Sequence, residues 1–119
     1  MSRYRLTHAA QADIVSILAW SHDQFGEEAR KRYEALIATA IRDAATSSDE
    51  VGRTVRPELG DGVFSWHLAQ SRTHSPGGNV HRPRHFLILR RDGDALVVGR
   101  VLHDAMELRR HLDSQQPWE

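Results

Sequence analysis

The stretch from Pro83 to Leu112, PRHFLILRRDGDALVVGRVLHDAMELRRHL, decides the fold. Phe86 to Leu89 and Leu96 to Leu102 are two apolar runs rich in aliphatic and β-branched residues. Arg91-Asp92-Gly93-Asp94 between them is a strong turn signal, so the pair predicts a β-hairpin. The second run leads into His103-Asp104-Ala105-Met106-Glu107, where Asp104 is placed to cap a helix and Glu107, three positions on, completes a capping box. A short terminal helix is expected, with Ala105, Leu108 and Leu112 on one face and Arg109 and Arg110 beside them.

Upstream of the hairpin, residues Gln70 to Arg82 have few apolar groups and contain Ser75-Pro76-Gly77-Gly78-Asn79, which predicts an exposed, mobile loop. Such a length is uncommon between neighbouring strands and suits a functional arm or an insertion. Before it, Val63 to Leu68 alternates: Phe64, Trp66 and Leu68 share one face, Ser65 and His67 the other, as in a half-buried antiparallel strand. Glu50 to Gly62, with Gly52, Pro57, Gly60 and Gly62, reads as a loop. Further back, Ala10, Ile14, Ile17, Leu18, Ser21 and Phe25 recur at helical spacing. Ala29, Tyr33, Leu36, Ile37, Ala40, Ile41 and Ala44 form a second stripe with Glu27 and Glu28 in its first turn. Gly26 is nearly the whole connection, so these helices must fold into an antiparallel hairpin. Arg3 to Leu6 reads as a strand and Thr7 as the first helix's N-cap. The order is strand, helix, helix, three antiparallel strands, short helix. This is an α+β domain in which an N-terminal strand and an antiparallel helical hairpin pack on a small antiparallel β-sheet. A single domain over residues 1–112 and a frayed tail over 113–119 are expected, with Trp118 free to dock. The sheet face away from the helices is expected to be partly open and lined by Ser65, His67, His85, Arg90 and Arg100.

The composition narrows the chemistry. Lys plus Arg and Asp plus Glu both number 16, so net charge supplies no nucleic-acid footprint. The local distribution is uneven: no acidic residue lies between Asp61 and Asp92, where Arg72, Arg82, Arg84, Arg90 and Arg91 occur with four histidines. Cysteine is absent, which excludes disulfides, thiolate nucleophiles and Cys-based zinc sites. His67, His74, His81 and His85 lack metal-ligand spacing, so neither a metal nor a cofactor is expected. No segment has the character of a signal peptide or a membrane span, and a cytoplasmic protein is the default.

Four motifs in fixed order carry a family resemblance: Leu6-Thr7, Ala10 to Asp13, Phe25-Gly26 and Val101 to Glu107. With them the chain resembles the ParE branch of the RelE/ParE toxin superfamily over nearly its whole length. The resemblance implies the toxin of a type II toxin–antitoxin system in a bacterial cytoplasm. Such a toxin is neutralised by a ParD-like, ribbon-helix-helix antitoxin and assembles with it into a higher-order hetero-oligomer. It implies inhibition of DNA gyrase by binding, without a chemical step, without membrane association and without direct nucleic-acid binding. RelE-type relatives instead cleave mRNA on the ribosome without a metal, which needs an activated 2′-hydroxyl, cations for the phosphorane charge and an acid for the leaving oxygen. A third reading is a non-toxic, degenerate member kept as an interaction module.

The candidate residues follow these readings. If the chain is a nuclease, Arg84, His85, Arg100 and His103 are its catalytic set, although His85 and Asp104 fall where the nuclease pattern wants arginines. His103 is equally placed to hydrogen-bond across the strand-to-helix junction. For a binding toxin, His103, Met106, Arg109, Arg110 and Arg90 are candidates for target contact. Ile14, Leu18, Tyr33, Ile37 and Arg84 are candidates for antitoxin contact, in a groove between helices and sheet or along an open strand edge. Trp66 belongs to the core by its alternation.

Overall fold

The structure is a computed structural model, and it describes residues 3–46, 52–78, 80–105 and 118. In chain order its elements are β1 (Arg3–Leu6), α1 (His8–Phe25), α2 (Glu27–Thr46), β2 (Arg53–Val55), β3 (Phe64–His67), β4 (His85–Asp92) and β5 (Ala95–His103). A 3₁₀ turn at Pro57–Leu59 follows β2, and a 3₁₀ helix at Leu68–His74 follows β3. The strands form one sheet in the order β1-β5-β4-β3-β2. Neighbours are antiparallel except at the β1–β5 edge, where Tyr4 and Arg5 lie parallel to Leu96 and Val97. The expected α+β architecture is therefore present, with a mixed rather than wholly antiparallel sheet.

The helical hairpin is set by its caps. The Thr7 side chain accepts from the Ala10 backbone N–H at 3.0 Å and donates to the Gly99 carbonyl at 2.7 Å. Thr7 N–H donates to the Val98 carbonyl, so one fully buried residue starts α1 and stitches it to β5. Gly26, at φ 91°, closes α1 through its N–H to the His22 carbonyl and accepts from Arg30 N–H to open α2. A side chain is strained at that φ, so glycine allows the two helices to be joined by one residue.

The hairpin lays Ala10, Leu36, Ala40, Ile41 and Ala44 on the helix-facing side of the sheet, against Phe64, Trp66, Leu87, Leu89, Leu96, Val98 and Val101. Full burial of each large side chain stabilises the fold by roughly 1.5–3 kcal/mol. Along β5 the alternation is reset by a bulge: Ile88 faces Arg100 while Leu89 faces Val98, leaving Gly99 as the extra residue. The reset returns Val101 to the helix side and puts Leu102 on the far side.

Three expectations are corrected. Glu50 to Gly62 is not simply a loop, because Arg53–Val55 pairs antiparallel with β3 as an edge strand. Three residues between Gly52 and Pro57 are too few to show a period. Gln70 to Arg82 is not uniformly a mobile arm. Its first part completes the 3₁₀ helix, with Ser71 fully buried. Trp66 Nε1 donates to Ser71 Oγ at 3.1 Å, Ser71 Oγ donates to Asp43, and His74 pairs with the same carboxylate, so polar groups dock this segment on α2. Nor is the far sheet face open: Val63, Phe86, Ile88 and Leu102 form a second buried cluster there, packed by Leu59 and Trp118. Trp118 does dock, with the Arg90 guanidinium 4.8 Å from its ring centre and its carbonyl accepting from Arg5. The expected terminal helix beyond Ala105, with Glu107 and the capping box, lies outside the described residues.

Candidate functional site

The helix-side ends of β4 and β5 meet the helical hairpin at a groove of about 540 Å³. Its walls come from the C-terminal half of α1 (Ile17, Trp20, Ser21, Phe25), the first turns of α2 (Ala29, Arg32, Tyr33), the turn before β4 (Val80, His81, Arg82, Arg84), and His85 with His103. The wall therefore contains cations, imidazoles and apolar groups and no carboxylate. Trp20 and Phe25 sit edge to face 5.6 Å apart, and they are 56% and 66% exposed. Two large aromatics at that exposure, side by side in a concavity, are the surface feature that burial alone does not explain.

Tyr33 organises the sheet side of the groove. Its hydroxyl oxygen accepts from the Arg84 backbone N–H at 3.2 Å and lies 2.6 Å from His85 Nδ1. The phenol is the better donor and an imine nitrogen the better acceptor, so the bond runs from Tyr33 to a neutral His85 protonated on Nε2. Burial, the neighbouring His103 and His67 and the Arg84 charge lower the His85 pKa to about 4 against the opposing pull of Asp104. Burial also pushes the Tyr33 pKa up to about 12. Both groups are thus neutral through the physiological range. The His85 and His103 rings are 5.2 Å apart, edge to face.

Behind them, Asp104 accepts from His67 Nε2 at 3.3 Å and from Arg84 Nε at 3.2 Å. Desolvation raises its pKa, but those two bonds and the Arg84 and His103 charges outweigh it and leave the pKa lowered. Its side chain is engaged by the last residue of β3 and the residue before β4. The residue that turns the chain after β5 is His103, whose Nδ1 accepts from Ala105 N–H at 3.1 Å. His103 thus bonds the chain two residues on, at the end of β5. Asp104 Oδ1, 3.7 Å from that same Nδ1, is near it without a hydrogen bond.

The expected nuclease set is only partly assembled. Arg84, His85 and His103 are neighbours, but Arg100 is held elsewhere. Its Nε and one terminal nitrogen donate to the two oxygens of Asp13 at 2.7 and 3.0 Å, and the Val101 N–H donates to the same carboxylate. That pair raises the Arg100 pKa and ties α1 to β5. Asp13, in the Ala10 to Asp13 motif, is structural here.

Of the antitoxin-contact candidates, Tyr33 and Arg84 line the groove, while Ile14 and Leu18 are half-buried beside the core. Ile37, 3% exposed, is a core residue and offers no surface to a partner. Among the target-contact candidates, His103 opens on the groove and Arg90 lies against Trp118. Met106, Arg109 and Arg110 fall outside the described residues. Sequence reasoning missed Trp20, Phe25, Arg32 and Arg82. The available signal was that Trp20 lies off the apolar stripe of α1, where a core role does not account for it. Among the described residues no cluster of His, Asp and Glu has the geometry to hold a metal, and no helix is long and apolar enough to cross a membrane.

The described residues thus form a helical hairpin laid on a mixed five-stranded sheet, with an apolar and basic groove where the two meet. The family model for the ParE toxin of the type II toxin–antitoxin system parDE matches residues 4–108, and the chain belongs to that family. The fold is similar to that of a chain from the chromosomal ParDE toxin–antitoxin system of P. aeruginosa. The TM-score is 0.62 at 16% identity, over 87% of this chain and 96% of that one. No curated protein sequence matches the chain.

Proposed function

We propose that this ParE-family chain acts by binding its target, DNA gyrase, without covalent chemistry, and that a ParD-like antitoxin neutralises it. The antitoxin segment occupies the groove, against Tyr33 and Arg84 and along Ile14 and Leu18, and the two proteins assemble into a higher-order complex. Target contact falls to His103 and Arg90 with Met106, Arg109 and Arg110. The observation that carries the binding reading is the state of Arg100. In the expected nuclease set Arg100 would have to meet the phosphorane charge, and its guanidinium is already bound by Asp13. Two of the three groove histidines, His85 and His103, also have Nδ1 already occupied, by Tyr33 and by Ala105 N–H.

Induced expression with and without the antitoxin tests the proposal. Growth arrest with DNA breaks and copurified gyrase, relieved by the antitoxin, is expected. Prompt loss of full-length mRNA with intact DNA would instead favour a RelE-like endonuclease, and unimpaired growth a non-toxic interaction module.

A further inference from the structure

We propose that the groove contains a carboxylate clamp: Arg32 and Arg82 grip an acidic side chain of the partner segment while an apolar residue beside it seats against Trp20 and Phe25. This rests on the toxin–antitoxin reading and adds to it the chemistry that the partner must present.

The first observation is that Arg32 is unspent. Around it on α2, Arg30 bonds Glu34 at 2.8 Å and approaches Glu27, and Lys31 lies within 4.0 Å of Glu27 and Glu28. Arg32, half-buried in the groove wall, has no hydrogen-bond or ion-pair partner among the described residues. Its stem passes close to Gly78, its Cδ lying 3.4 Å from where a Cβ on that glycine would stand. A half-buried guanidinium in a wall with no carboxylate is arranged for an anion brought from outside.

The second observation is Arg82. At φ 56° it is the one non-glycine residue with positive φ among those described, in a conformation that a long side chain adopts only when its surroundings impose it. Buried Pro83 follows it. The turn holds this exposed arginine at the groove, where it too has no partner among the described residues. Arg84, two residues on, is directed to Asp104 and is not needed in the clamp.

The aromatic pair points to a protein segment rather than a nucleic acid. A base is held by stacking on an open ring face, and a strand by a row of cations along its backbone. Trp20 and Phe25 are edge to face at 79°, which forms a notch for one aliphatic or aromatic anchor, and the floor beside them is Ile17 and Val80. An amphipathic, acidic segment fits both features.

The test is calorimetric titration of the antitoxin into the wild-type chain, Arg32→Gln and Arg82→Asn. Asparagine tolerates positive φ, so the second change removes charge without imposing strain. Each variant is expected to weaken Kd about tenfold to a hundredfold, the range for a charge-assisted contact, with a shallower salt dependence and unchanged thermal unfolding. Arg32→Glu should weaken binding further and recover when the contacting acid of the antitoxin is replaced by Lys. Tight binding by all three proteins overturns the clamp and leaves the toxin reading standing. No binding by the wild-type chain overturns both. Binding of a short oligothymidylate to the wild type and not to Arg32→Gln would make the site one for phosphate, and the carboxylate assignment would fall.

Discussion

Arg100 and Arg32 are half-buried arginines in one small domain, and they are treated in opposite ways. Arg100 sits where α1 is tied to β5, and its charge is matched by Asp13, whose carboxylate also takes the Val101 N–H. The same corner holds Thr7, which accepts from Ala10 and donates to Gly99. At this junction each of these polar groups is satisfied internally. At the groove the balance is reversed: Arg32 and Arg82 are unpaired among the described residues, two aromatics are exposed, and Arg82 occupies a disfavoured conformation. A fold this small has few residues to spare for function. The comparison teaches that the stabilising junction and the binding surface can be told apart by whether charge is already matched.

Breaking the junction should have the largest effect on stability. Asp13→Ala removes the carboxylate that accepts two Arg100 bonds and the Val101 N–H, at an expected cost of about 2–4 kcal/mol in denaturant unfolding, tempered by partial exposure of the pair. Replacing both partners, Asp13→Leu with Arg100→Met, should cost clearly less than the single change, because neither charge is left alone.

Next comes pH, which probes the groove side. His85 has a folded pKa lowered to about 4 from 6.5, so the unfolded chain takes up the proton first. Stability is then present above pH 6.5 and is lost as pH falls from there toward 4, by at most roughly 3 kcal/mol. The raised Tyr33 pKa has the opposite sense: its contribution is intact below pH 10 and is lost as pH rises toward 12. Tyr33→Phe should flatten the alkaline limb in pH-dependent unfolding, and a limb unchanged by the substitution would separate Tyr33 from it.

Thr7→Ala should cost about 1–2 kcal/mol, the loss of an N-cap and a buried hydrogen bond. The smallest effect on stability belongs to Arg32→Gln and Arg82→Asn, expected within about 0.5 kcal/mol of wild type by thermal unfolding. A large loss from either would show that these arginines serve the fold and would erase the contrast with Arg100.

Much of this architecture was legible in the sequence. Thr7, Gly26 and the turn at Arg91 to Asp94 carry strong local chemistry, and the stripe on α2 is long enough to fix its period. The β2 strand was missed because an edge strand of three residues between glycine and proline shows no alternation. The far sheet face was misjudged because Phe86-Leu87-Ile88-Leu89 is apolar on both faces, so it says nothing of which way His85 points. The bulge at Gly99 compounds this by shifting the parity of β5 midway. The candidate site was legible in part. Tyr33, Arg84, His85 and His103 do converge, but Arg100 was assigned by its residue type when a partner 87 positions away had already claimed it. Long-range pairing of this kind leaves no local trace, and for the same reason the unpaired state of Arg32 is visible only in three dimensions.

The central claim is action by binding, and the supercoiling activity of purified gyrase titrated with the purified chain tests it most directly. Inhibition that rises with the chain and is reversed by adding the antitoxin is the predicted result. Undiminished supercoiling, with mRNA cut by the same preparation on ribosomes, would contradict it.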